Sequence, residues 1–140
     1  MAIKTVWQGG KTFISENENQ HQIVLDASSK DGGIDKGFRP MDAVLSALAG
    51  CMGLGGLSIM RPFLDQVTHF EVITSGEREE QPPQSFTALH VTFSVDGNVD
   101  SHKVWRAIRL AEEKYCSVSN SLKAEKHLHV IINGQQVDET

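Results

Sequence analysis

Cys51 and Cys116 are the residues whose type most readily invites nucleophilic chemistry. In thiol redox chemistry a thiolate attacks an oxidant and becomes a sulfenic acid, and a second thiol then closes a disulfide on it. The attacking thiol needs a lowered pKa, whereas the resolving thiol does not. Each cysteine taken alone also fits a bland role, because free cysteine often fills a core as a small apolar residue. The pair favours redox work, since structural disulfides are rare in the cytoplasm and thiol pairs there tend to be catalytic, metal-binding or sensing.

A cytoplasmic location is expected because residues 1–7 lack the apolar run of a signal peptide and no small-residue cleavage pattern follows them. The formal charge of −5 and the scattered placement of the 13 basic residues argue against nucleic acid or a membrane surface as a partner. The longest apolar stretch, near residues 45–60, is interrupted by Ser46, Ser58 and four glycines, and is expected to be a buried helix rather than a membrane span.

The elements that must position the cysteines follow from periodicity. Strands are predicted at 3–7, 11–15 and 22–26, the first two joined through Gln8, Gly9 and Gly10. A loop at 27–37, rich in Ser, Asp and Gly, is expected to be mobile. Pro40 suits the first position of a helix, and Met41, Val44, Leu45, Leu48 and Met52 then recur on one face that Cys51 shares. Gly50, Gly53, Gly55 and Gly56 weaken an isolated helix, and are expected to let another backbone approach. Pro62 ends that helix near Arg61.

Strands at 69–74 and 85–95 flank a charged connection containing Glu77–Glu80, Pro82 and Pro83. A helix over 101–115 is capped by Asp100 or Ser101, and Cys116 follows its carboxyl end, where the helix dipole disfavours a thiolate. That position suits a resolving thiol. A short helix at 118–126 and a strand at 127–132 complete the chain. Grouped strands predict an α+β fold with largely antiparallel sheets, as one domain over residues 1–140. No repeat, low-complexity tract or interdomain linker is present.

Activation of Cys51 calls for a cation. Arg39 lies twelve residues earlier, about 18 Å of straight helix, and Asp42 nine earlier, more than about 10 Å. Neither easily reaches Cys51 within one chain, so a second chain is their expected route to it; Lys11 is the other candidate. His127 and His129 share one face of a strand and could hold a metal with help, but a solvated sheet face is the expectation. No cofactor or metal is expected.

Two segments carry a resemblance to a known family. Residues 37–51, Gly-Phe-Arg-Pro-Met-Asp-Ala-Val-Leu-Ser-Ala-Leu-Ala-Gly-Cys, resemble the first-cysteine segment of OsmC/Ohr proteins, and residues 114–122, Lys-Tyr-Cys-Ser-Val-Ser-Asn-Ser-Leu, resemble their second. The resemblance implies an OsmC-like fold with long central helices, intertwined as an obligate homodimer with active sites at the interface. It further implies reduction of organic hydroperoxides or hydrogen peroxide, with Cys51 peroxidatic and Cys116 resolving. The disulfide is then reduced by a dithiol such as a lipoylated protein.

The chain departs from the family pattern at specific places. Met41 stands where family peroxidases carry Glu, with Asp42 one step later; no Arg precedes Arg39, and Ser117 follows the second cysteine where Pro is common. These features resemble a divergent OsmC-like branch. A second expectation therefore accompanies the first: a non-enzymatic protein binding a small apolar ligand, in a pocket lined by Phe38, Met41 and Met52.

Overall fold

A computed structural model describes residues 1–140, which fall into two compact units, 1–44 and 45–140. In the first, β1 (Lys4–Trp7), β2 (Phe13–Glu16) and β3 (Gln22–Leu25) form an antiparallel sheet in the order β1-β2-β3. Gly9 and Gly10 both take positive φ in the hairpin turn, and the Trp7 indole N–H donates to the Gly10 carbonyl at 2.9 Å.

The 27–37 loop, expected to be mobile, is instead closely tied. The buried Asp26 carboxylate accepts the backbone N–H of Ala27 at 2.7 Å, Lys36 at 3.1 Å and Ile34 at 3.4 Å. Asp26 N–H donates to Phe38 O, and Phe38 N–H to Val24 O, so the chain returns beside β3 before the first helix. A single short side chain thus satisfies donors that the sequence pattern leaves unassigned.

Helix α1 runs Pro40–Met60. Pro40 occupies its first position as expected, and the Asp42 carboxylate accepts the Arg39 backbone N–H at 3.1 Å. The third helical residue thus reaches back to the cap, the acidic half of a capping box. Within residues 45–60, Leu48, Met52, Gly56 and Met60 form a stripe at four-residue spacing that is buried in the core. By length and composition residues 40–66 resemble a membrane span, an 18-residue window within them reaching a mean hydropathy of 1.8. Only that stripe is buried in the core, and most of the helix surface stays open, with Leu54 on another face 69% exposed.

In the second unit, β4 (Val67–Arg78), β5 (Phe86–Gly97), β6 (Glu125–Ile132) and β7 (Gln135–Val137) form a sheet in chain order. Leu89, Val91, Phe93 and Val95 of β5, with Leu128 and Val130 of β6, enter the core beside Val104, Trp105 and Ile108 of α2 (Ser101–Leu110). Asp100 caps α2, accepting the His102 N–H at 2.9 Å.

The fold is α+β, as expected, with one pairing that differs from the largely antiparallel expectation: β5 and β6 are parallel. A parallel neighbour requires a crossover, which α2 and the residues after it supply. Two further corrections concern boundaries. Glu77 and Arg78, expected in a connection, continue β4 because they pair with Ala88 and Phe86. The helix expected at 118–126 is confined to α3 (Ser117–Ser121), since β6 begins at Glu125.

Candidate functional site

Cys51 lies within α1, half-buried at the margin of the core, while Cys116 is 1% exposed; both are free thiols. The segment bearing Cys116 is shaped by the end of α2. There the helix widens into a π-helical turn, Ala111–Tyr115, closed by a 2.7 Å bond from Cys116 N–H to Ala111 O. The Asn120 side-chain amide donates to Glu112 O at 3.0 Å and to Cys116 O at 2.8 Å, pinning the turn to α3.

Gly55 brings this segment against α1. A Cβ built there stands 3.1 Å from Ala111 Cβ and 3.7 Å from Ala111 Cα, so the glycine admits a neighbouring backbone, as its position suggested. At Gly50 no atom of this chain lies within 4 Å of where a Cβ would stand. The Leu45 carbonyl accepts the Thr74 hydroxyl at 3.0 Å, fixing α1 to β4 on the other side.

The two thiols act on each other in opposite senses. Burial pushes the Cys51 thiol up, but hydrogen bonding from Cys116 and from the backbone N–H groups of Val118 and Ser117 outweighs it, leaving Cys51 below its ordinary value. Burial likewise pushes Cys116 up, and its bond with Cys51 adds to this, raising it to about 11 despite the backbone N–H groups of Ser119 and Val118. Ser119 N–H donates to Cys116 Sγ at 3.2 Å. The residue expected simply to end one helix also caps the start of the next, α3. Burial and the neighbouring thiol both raise its pKa.

The groups that lower Cys51 therefore lie in residues 116–118 rather than in a cationic side chain of the second unit. No local pattern at Cys51 could reveal them, because they arrive through tertiary packing. Arg39, Asp42 and Lys11 belong to the first unit. There Asp42 caps α1, and Lys11 lies along Gly32 and lines an apolar groove of about 680 Å³ with Trp7, Phe13, Leu25 and Pro40. Of the residues expected to line a ligand pocket, Met52 is fully buried in the core and leaves that role, whereas Phe38 is exposed.

The arrangement offers one accessible thiol with a stabilised anion, beside a protonated and buried second thiol. Such a pair can exchange two electrons between its dithiol and disulfide forms.

Comparisons with known proteins bear on the fold and the family. The family model described as OsmC-like protein matches residues 32–130. Protein YhfA of Escherichia coli (strain K12) is 36% identical over 131 residues, spanning 93% of this chain and 93% of its own. An OsmC-like protein of unknown function from Vibrio cholerae superposes with a TM-score of 0.78 at 19% identity, covering 93% of this chain and 97% of the other. An organic hydroperoxide resistance protein OsmC from Legionella pneumophila gives 0.67 at 12% identity, covering 94% and 96%. At such identities these two likenesses speak for the fold alone.

Proposed function

We propose that this chain, which belongs to the OsmC-like family, is a thiol-dependent peroxidase that reduces small organic hydroperoxides or hydrogen peroxide. The observation that carries the proposal is a pair of free thiols, Cys51 reachable at the core margin and Cys116 buried, whose mutual influence lowers the first and raises the second to about 11. A peroxidatic thiol needs the first condition, and a resolving thiol tolerates the second. The name of the Legionella structural neighbour, an organic hydroperoxide resistance protein, lends the substrate class.

In the proposed cycle the Cys51 thiolate attacks the terminal peroxide oxygen. The O–O bond breaks, the departing alkoxide takes a proton and leaves as alcohol, and Cys51 becomes a sulfenic acid. The Cys116 sulfur then attacks the Cys51 sulfur. The S–O bond breaks, the Cys116 proton leaves with the hydroxyl as water, and a disulfide forms. Oxidation of Cys51 also removes the neighbouring anion that held the Cys116 proton in place. A dithiol, such as that of a lipoylated protein, restores both thiols by exchange.

Arg39 or Lys11 is proposed to steady the departing oxygen, and Asp42 to hold the helix start that presents Arg39. Their route to Cys51 is an obligate homodimer acting as one functional unit of residues 1–140 per chain, in the cytoplasm. Apolar side chains left open within each unit support such a partner: Ile3, Trp7 and Ile23 in the first, Leu54 and Ile73 in the second, all more than half exposed.

The test is stopped-flow consumption of an organic hydroperoxide by the reduced protein, with thiols counted before and after. Loss of two thiols per chain, abolished in Cys51→Ser, is the expected result; survival of both thiols in excess peroxide overturns it. The apolar groove beside Trp7 and Phe13 favours one competing reading, a non-enzymatic protein that binds a small apolar ligand. Inert thiols with saturable binding of such a ligand would decide for it.

A further inference from the structure

We propose that the outer face of the four-stranded sheet carries a site for a divalent transition-metal ion, built from His90, His127 and His129. The parallel register sets His90 opposite His127 and Thr92 opposite His129. Since Leu89, Val91, Leu128 and Val130 point into the core, alternation turns all three histidines to the other face. Two imidazoles spaced two residues apart on one strand thus meet a third on the neighbouring strand.

As they stand the three side chains do not hold an ion between them, but their ring separations are those that ligands to one ion would have. The ring of His90 has its centroid 5.0 Å from that of His127 and 5.8 Å from that of His129. Zinc binds imidazole nitrogen at about 2.0–2.1 Å, which puts two tetrahedrally disposed rings roughly 5 Å apart, centre to centre. The rings now stack, at interplanar angles of 22° and 16°, and do not converge on one point. Capture of an ion needs side-chain rotation, for which His90 and His127 have room, being 37% and 40% exposed.

Two carboxylates already stand where outer-shell partners of metal-bound histidines stand. Glu77 Oε2 is 3.1 Å from His90 Nε2, and Glu125 Oε2 is 3.7 Å from His127 Nε2. A carboxylate on one ring nitrogen orients the ring and leaves the other, here Nδ1, for a metal. The surroundings are also anionic. Outward positions of the three strands hold His69, Glu71, Glu77, Asp96 and Glu125 and no Lys or Arg, so a cation entering this face meets no like-charged side chain there. Imidazole ligands suit zinc, copper and nickel.

The probes are Zn²⁺ in titration calorimetry and Co²⁺ in absorption spectroscopy, on the full chain at neutral pH. One Zn²⁺ per chain is expected. His127→Ala with His129→Ala abolishes binding, and Glu77→Gln weakens it by about tenfold or more. Cys51→Ser leaves it unchanged, and the Co²⁺ spectrum lacks a thiolate charge-transfer band.

A measurement without variants stands beside these. Co²⁺ should broaden the imidazole NMR signals of His90, His127 and His129 before those of His21 and His102. Undiminished binding in the histidine variants, loss of binding in Cys51→Ser, or no binding heat at all would each overturn the proposal.

Discussion

Ala111 packs so closely on α1 that its Cβ lies 3.1 Å from where a Cβ on Gly55 would stand. Gly55 is one helical turn beyond Cys51, and Ala111 accepts the backbone N–H of Cys116. This contact therefore sets how near the two cysteine-bearing segments come. Gly55→Ala gains about 1 kcal/mol of helix propensity, which offsets much of the strain of so slight an overlap. Gly55→Val adds branched bulk with nowhere to go and should cost about 1–3 kcal/mol. Its disulfide should form more slowly on oxidation; urea denaturation and thiol counting check both effects.

Cys116 should act on Cys51 before any oxidation takes place. In Cys116→Ala the side-chain donor disappears, so the pKa of Cys51 should rise toward that of an ordinary thiol, while Cys116→Ser keeps a donor and should hold it lower. The pH dependence of iodoacetamide alkylation at Cys51 reads this directly. Identical profiles in the two variants would show that the backbone N–H groups of Ser117 and Val118 suffice.

Alkali should destabilise the protein through Cys116. Its folded pKa of about 11 lies above the ordinary thiol value of 9.0, so between those values the folded chain binds the proton more tightly than the unfolded chain. Stability then falls as pH rises from about 9 toward about 11. Melting temperatures across that window should decline less steeply in Cys116→Ala than in the parent.

Asn120 should matter to resolution rather than to attack. Its amide holds the carbonyls of Glu112 and Cys116, and Asn120→Ala should cost about 0.5–1.5 kcal/mol. The first peroxide step at Cys51 should proceed at the parental rate, while disulfide closure slows. Quenched samples analysed by mass spectrometry, with a trap for sulfenic acid, separate the two steps.

Acid should loosen the 27–37 loop. Burial pushes the Asp26 carboxyl up, but the N–H groups of Lys36, Ala27 and Ile34 and the Thr12 hydroxyl outweigh it and hold it below 3.8. Because the folded value is depressed, this stabilisation is complete above 3.8 and disappears as pH falls through the lower folded value. Limited proteolysis within the loop should accelerate on acidification in the parent. Asp26→Asn should show that susceptibility already at neutral pH.

Much of this protein was legible in its sequence because the relevant physics is local. Pro40 starts a helix wherever it stands in the chain, and Asp100 caps one by the same local logic. Alternation along 89–95 and 128–130 orients β5 and β6, and the four-residue spacing of Leu48 and Met52 marks the buried side of α1. The two cysteine-bearing segments and their order along the chain likewise pointed to the OsmC-like family that the comparisons support.

What only the tertiary structure decided are relations between segments distant in sequence. Nothing near Cys51 announces that the groups lowering its pKa belong to Cys116, Ser117 and Val118, nor that Cys116 begins one helix as well as ending another. The parallel registration of β5 with β6, which gathers His90, His127 and His129, depends on where a crossover of two helices returns the chain. Periodicity specifies which face a residue occupies; packing alone specifies what stands opposite that face, and at Cys51 the opposing segment sets the chemistry.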